Sequence, residues 1–325
     1  MNKTSGTLAK DQDRAARLAH VALLYYGEGL TQSEIAKRLQ VSRVTVVNLL
    51  REARDQGVVE IRVGGQQLKE NTLARRLREA YGLQDVYISD TFSDQPKDRA
   101  ASLRQLGRVA ATAFLDSISP GDRVGIAWGE TILAVADAMP ATPIADVEIC
   151  QLIGSMISER VPASENCAIR IASQLGAQCY TLHAPALAST EELARLFRSE
   201  PAISAQLDRL QRLDMVAYSI GNVSNDTHLV AAGMAQTAEL RAARDAGAVG
   251  IVCCRYIDAE GQDIDLAPSD RVIAASTDDL RAAKRGLLIV CGADRSDATR
   301  AAIKGGMATH LCVDTALAHA LLDAS

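Results

Sequence analysis

The 325-residue sequence predicts an α/β domain, a mostly parallel sheet with helices on both faces, preceded by a small, mainly α-helical winged helix-turn-helix module. Three observations predict it. From residue 85 onward, short runs rich in Val, Ile and Leu alternate with helical segments, the pattern of strands buried on both faces. Residues 31–63 read as two short helices joined by a tight turn and followed by a strand. Gly64-Gly65 then interrupts the chain and divides a first module, residues 1–64, from a larger domain, residues 65–325.

In the first module the spacing of Leu18, Val21, Ala22 and Tyr25 predicts a helix over 11–26, closed by Gly27 and Gly29. Thr31 caps the next helix, and Glu34 three residues later completes a capping box. Ile35 and Leu39 share its inner face. Ser42 caps a further helix after the turn at Gln40-Val41, with Val44, Val47, Leu49 and Leu50 as its apolar positions. Gly57 ends that helix, and VVEIRV (58–63) alternates as a strand. A helical pattern over 66–80 opens the larger domain. Strands are then expected in DVYIS, DRVGIAW, VEICQLIG, QCYTLHA, MVAYSIG, AVGIVCC, GLLIVCG and THLCVD. The intervening helices are 101–116, 131–138, 165–175, 191–197, 204–212, 277–284 and 296–304. The Asp- and Gly-rich stretch 256–272 suits a hairpin or an irregular excursion.

Composition bounds the function. Hydrophobic residues make up 48% and aromatics only 3%, so the core is built from Ala, Leu, Val and Ile. No apolar run of about 18 residues is present, and the amino terminus is charged rather than signal-like. The expectation is a cytoplasmic protein with no membrane partner. Seven cysteines, with no CxxC pair, argue against a disulfide framework and a zinc ribbon. Charge is uneven: residues 1–63 hold ten Lys/Arg against seven Asp/Glu, and the rest holds 25 against 33. A basic first module on an otherwise acidic chain suits a local contact with nucleic acid.

The second helix of the opening motif has the pattern of a recognition helix that enters the DNA major groove. Arg43, Thr45, Val46 and Asn48 are placed to touch bases, and Ser42, Arg51 and Arg54 to contact phosphates. Thr31 and Gln32 belong to the same expected surface. In an open α/β sheet, ligands bind beyond the carboxyl ends of the strands. The sharpest such end is GIAWGETI (125–132), where Gly129-Glu130-Thr131 opens a helix. Free N–H groups there would attract an anion, unless the segment is an ordinary strand-to-helix turn. Trp128 either stacks on a ligand or plugs the core. Other strand ends place Gly154, His183, Gly221, Asn222, Arg295 and Asp314 on the same rim, a set suited to a phosphorylated polyol or sugar. No Ser/His/Asp arrangement, metal-ligand spacing or nucleotide-binding glycine motif stands out, so neither metal nor cofactor is expected.

Several stretches together resemble a known family. LTQSEIAKRLQVSRVTVVNLLREARDQGVVEIRV, GDRVGIAWGETILAVADAM, GAVGIVCCRYIDAEG and LLIVCGADRSDATRAAIKGGMATHLCVDTALAHALL are similar to the SorC-type sugar-binding transcriptional regulators of bacteria. The resemblance implies an effector domain like the sugar-phosphate isomerases and glucosamine-phosphate deaminases. It implies a sugar or polyol phosphate as effector, and a homodimer or homotetramer on double-stranded operator DNA. By position it places Gly125, Trp128, Gly129, Glu130 and Thr131 at the phosphate, and Gly221, Asn222, Arg255, Asp258 and Gly261 near the sugar. The usual Gly-Gly with a nearby Lys is Cys291-Gly292 with Arg295 here, and the usual Thr-Asp is Val313-Asp314. Arginine keeps the charge but offers a planar fork.

The expectation is a DNA-binding regulator of a sugar or polyol catabolic operon, and not an enzyme. The rival is an isomerase- or deaminase-like enzyme carrying an accessory amino-terminal module; a regulator with a vestigial pocket is a third reading.

Overall fold

The computed structural model describes residues 5–59, 72–89, 99–156, 164–224, 230, 236–266 and 269–323. The chain divides into two compact units, Met1–Val63 and Gly64–Ser325.

Among the described residues, three α-helices make the first unit. Helix α1 (Ser5–Ala22) runs into a single π-helical turn, Leu23–Gly27, and presents Leu18, Val21 and Leu24 inward at helical spacing. Helix α2 (Gln32–Arg38) starts at the predicted capping box. The Thr31 hydroxyl accepts from the Glu34 N–H at 3.3 Å, and the Thr31 N–H donates to the Glu34 carboxylate at 2.8 Å. Gln40 takes φ 53° in the turn. Helix α3 (Arg43–Asp55) is capped by Ser42, whose Oγ accepts from the Thr45 N–H at 3.0 Å. Ile35, Ala36, Val46 and Leu50 close the core with Val21 and Leu24. Arg14 grips Glu52 through two bonds of 2.6 and 2.8 Å, tying α1 to α3. The expected wing strand reads differently: Val58 and Val59 form a bend, and its remainder lies outside the described residues.

In the second unit, helix α4 (Thr72–Tyr81) leads into β1 (Asp85–Ser89) and α5 (Arg99–Ser117). Then come β2 (Arg123–Ile126), α6 (Glu130–Ala138), β3 (Glu148–Gln151), α7 (Ser164–Leu175) and β4 (Gln178–Tyr180). Helices α8 (Glu191–Ser199) and α9 (Pro201–Leu210) precede β5 (Met215–Tyr218) and β6 (Gly221–Asn222). Helix α10 (Thr237–Asp245) is followed by β7 (Gly250–Val252), β8 (Arg255–Ile257) and α11 (Thr277–Ala282). The chain closes with β9 (Arg285–Val290), α12 (Ser296–Lys304), β10 (His310–Asp314) and α13 (Thr315–Asp323).

The main sheet has seven strands in the order β1-β10-β9-β5-β2-β3-β4, and every pairing in it is parallel. Its central strands are continuously apolar, as β9 shows with Gly286 to Val290 all buried, because helices cover both faces. AVGIVCC departs from expectation. Its strand, β7, pairs antiparallel with β6 and β8 in a separate three-stranded sheet. The hairpin thus lies at Gly250–Ile257, just ahead of the stretch where the composition suggested one. Cys253 and Cys254 turn it, both in the left-handed region at φ 46° and 64°. Helices α10 and α13 were not anticipated from the spacing.

Ion pairs brace the amino ends of the strands. Arg285 reaches Asp122 at 2.7 Å and the Ser117 carbonyl at 2.6 Å. Arg123 reaches Glu148 at 2.6 Å, and Asp214 accepts from the Arg123 N–H and from Lys284. The opposite ends carry the loops that build the site.

Candidate functional site

Strand order decides where a ligand can enter. From β2 the chain crosses toward β3 and β4, and from β5 it crosses the other way toward β9 and β10. Adjacent strands whose connections diverge leave a crevice between their carboxyl-end loops. A cleft open to solvent lies there. Ala127 to Thr131 line it from the end of β2, and Ser219 to Asn222 from the end of β5. Arg295 after β9, Ile153 after β3, Ile251 and the Cys253-Cys254 turn, and Arg99 at the start of α5 complete the wall.

Gly129 sits at φ 127°, ψ 171° as the N-cap of α6 and brings no capping side chain. A Cβ there would meet nothing within 4 Å; it is the backbone angle that calls for glycine. The first turn of α6 therefore has no side-chain cap, and Gly129, Glu130 and Thr131 line the cleft, the kind of helix start that receives anions. Thr131, 9% exposed, adds a hydroxyl. Trp128 is 7% exposed and belongs to the core cluster while one side lines the cleft, so it packs and borders the ligand space at once.

Two guanidinium groups face this helix start. Arg99 pairs with Glu130 at 3.5 Å. Arg295 is held by the Cys291 carbonyl and lies 3.6 Å from Asp294. Burial pulls the Arg295 guanidinium below the usual arginine range, against the opposing pull of Asp294. Asn222 donates to Asp294 at 2.7 Å and accepts from the Ser224 hydroxyl at 2.7 Å, which fixes its amide at the rim.

Of the expected residues, Trp128, Gly129, Glu130, Thr131, Gly221, Asn222 and Arg295 thus come together. The others do not line the cleft. Gly125 lies within β2, where a Cβ would meet Leu152 at 2.5 Å. Gly154 passes the Ala184-Pro185 backbone, with a Cβ 2.6 Å from the Ala184 carbonyl. His183 is exposed and bonded to Thr181 beyond β4. Arg255 donates to the Ala275 carbonyl at 3.4 Å. Asp258 accepts the Glu260 and Gln262 N–H groups of its own turn. Gly261, at φ 73°, meets the Ala301 carbonyl and Gly305. Asp314 accepts from the Gly292 N–H at 2.7 Å and the Leu317 N–H at 2.8 Å, joining β9 to the start of α13. Arg99, Ser219, Cys253 and Cys254 were missed. No local signal marks Arg99, which arrives on a helix that precedes β2. Ser219 stands in the expected strand MVAYSIG, two residues before Gly221.

On α3 the expected surface also needs one correction. Val46 is fully buried in the core, so it packs rather than touches bases. Val44, read as an inner position, is instead 68% exposed. Arg43, Asn48, Arg51 and Arg54 are exposed. Arg43 reaches Gln32 at 3.4 Å, and Arg51 donates to Asn48 at 2.7 Å. The Thr31 and Ser42 hydroxyls are engaged as caps.

Residues 66–323 match the family described as "Putative sugar-binding domain", and residues 16–56 match sigma-70 region 4. The uncharacterised transcriptional regulator YjhU of Escherichia coli K12 is 31% identical over 99% of this chain and 97% of its own. The chain belongs to this family of sugar-binding transcriptional regulators. The deoxyribonucleoside regulator of Bacillus subtilis is 28% identical over 96% of this regulator and 99% of its own length. The full-length sorbitol operon regulator SorC of Klebsiella pneumoniae shares the fold, with a TM-score of 0.73, 22% identity and coverage of 94% and 98% of the two chains.

Proposed function

We propose that this transcriptional regulator is controlled by a phosphorylated sugar or polyol held in the cleft between β2 and β5. It acts on double-stranded operator DNA through α3, as a homodimer or homotetramer in the cytoplasm. The observation that carries the reading is the convergence of the uncapped start of α6 with Arg99 and Arg295 on one cleft. A phosphate would take the helix N–H groups and the Thr131 hydroxyl, with the two guanidinium groups as counter-charges. Asn222 and Ser219 would meet hydroxyls of the carbon chain. The names of the deoxyribonucleoside and sorbitol operon regulators suit the same class of effector.

The reading includes no turnover. The described cleft-lining residues include no histidine, and their one carboxylate, Glu130, is paired with Arg99. A thiol can also serve as a base, but burial pushes up both thiols that line the cleft, Cys253 and Cys254.

Thermal-shift titration with sugar phosphates and the matching free polyols, followed by operator binding with the same compounds, tests the proposal. A phosphorylated compound is expected to raise the melting temperature and change operator affinity. Thr131→Val, close in shape but without the donor, should lose both effects with its fold intact. A Thr131→Val protein responding like wild type would sink the phosphate assignment.

A further inference from the structure

Helix α3 turns 100° per residue, and its buried side is set by Val46, Leu50 and Ala53. The side directly opposite carries Val44, Asn48 and Arg51, one and two turns apart. Val44 stands at the exposed beginning of that face, 68% accessible. Around it the Ser42 and Thr45 hydroxyls bond each other at 2.8 Å, Arg43 leans toward Gln32, and the Asn48 amide oxygen accepts from Arg51 at 2.7 Å with one lone pair and keeps a second. A single exposed valine is ordinary on a protein surface. Its position is not ordinary, because the first turn of a recognition helix is the part that meets base edges. A β-branched side chain is also stiff at χ1 and cannot fold back along the helix.

The major groove offers an apolar group of its own, the thymine 5-methyl. That methyl shares the edge of an A·T pair with the adenine N6 and N7, the pair of atoms suited to an asparagine amide. Val44 and Asn48, one turn apart, are spaced to meet both on one base pair or on two neighbours. We infer that Val44 reads thymine, packing its methyl groups on a thymine 5-methyl next to the adenine taken by Asn48. The inference rests on the proposal that α3 binds operator DNA.

The test uses the full chain and a duplex it selects from a randomised library. Each thymine of that duplex is replaced in turn by uracil, which pairs identically but lacks the methyl. Wild type is expected to lose about threefold to fourfold in affinity at one thymine, or at its symmetry mate, as for one methyl returned to water. Val44→Ala, an exposed substitution that leaves the core untouched, should bind thymine and uracil duplexes equally at that position. Retained discrimination in Val44→Ala, or wild-type indifference to every replacement, overturns the inference. Failure to enrich any duplex would instead mark failure of the DNA-binding proposal itself, and the inference would fall with it.

Discussion

Single side chains set the local terms of this fold. Ser42 holds one of the N–H groups that α3 cannot satisfy within itself. Ser42→Ala is expected to lower the stability of the first unit by about 1 kcal/mol, read from urea unfolding followed by a probe in residues 5–59. Asp214 sets a pH dependence in the second unit. Burial alone would raise its carboxyl, but the Arg123 N–H and Lys284 outweigh burial and hold it below the ordinary aspartate range. A depressed folded-state value stabilises above the unfolded-state pKa, about 3.9, and the stabilisation is lost as pH falls through the folded value. Asp214→Asn should therefore unfold at lower denaturant than wild type at pH 7. The two curves should converge in acid, where both side chains are neutral. A gap that persists unchanged through the carboxylate range contradicts this.

Between elements, the decisive contact is the one that seats α6. Gly107 of α5 lies so close to α6 that a Cβ would stand 2.4 Å from the Ala134 carbonyl. Gly107→Ala must push α6 away, at a cost of about 1–3 kcal/mol for overpacking. Because α6 carries Gly129 and Thr131 into the cleft, the same change is expected to weaken effector binding, measured by calorimetry on the folded variant. Most strands were legible in the sequence because strands buried on both faces are continuously apolar. The carboxyl-end rule points to the same ends of the strands that carry the cleft. What the sequence could not convey was adjacency. His183 follows β4 at one edge, and Asp314 ends β10 beyond β9, so neither borders the β2–β5 crevice. Arg295 follows β9, the neighbour of β5, and does line it. Similarly, the sequence reading put Val44 among the inner positions of α3 and Val46 on its base-touching surface, and the structure reverses both. Only the packing of α1 and α2 on one side of α3 decides that Val46 is core and Val44 is not.

At the scale of the molecule, regulation requires that an effector favour one arrangement of the protein over another, and the coupling is reciprocal. Operator DNA should then shift effector affinity by the same factor as the effector shifts operator affinity, about 5- to 150-fold for a coupling of 1–3 kcal/mol. Arg43→Ala is expected to weaken operator binding in a gel-shift assay while leaving effector-induced thermal stabilisation as in wild type. Unchanged operator affinity would remove Arg43 from the interface.

The register of β1 has a consequence for synthesis. Asp85 lies opposite His310, so among the described residues the first strand of the sheet pairs only with the last. During translation the three-helix unit is complete long before that partner emerges. The seven-stranded sheet stays open, with the apolar edge of β9 unprotected, until β10 arrives. A chain cut short before residue 310 would carry a finished set of DNA-binding helices on a sheet that cannot close. Proteases and chaperones act on such exposed edges. The same pairing that delays folding thus favours removal of fragments that would occupy DNA without answering to any metabolite.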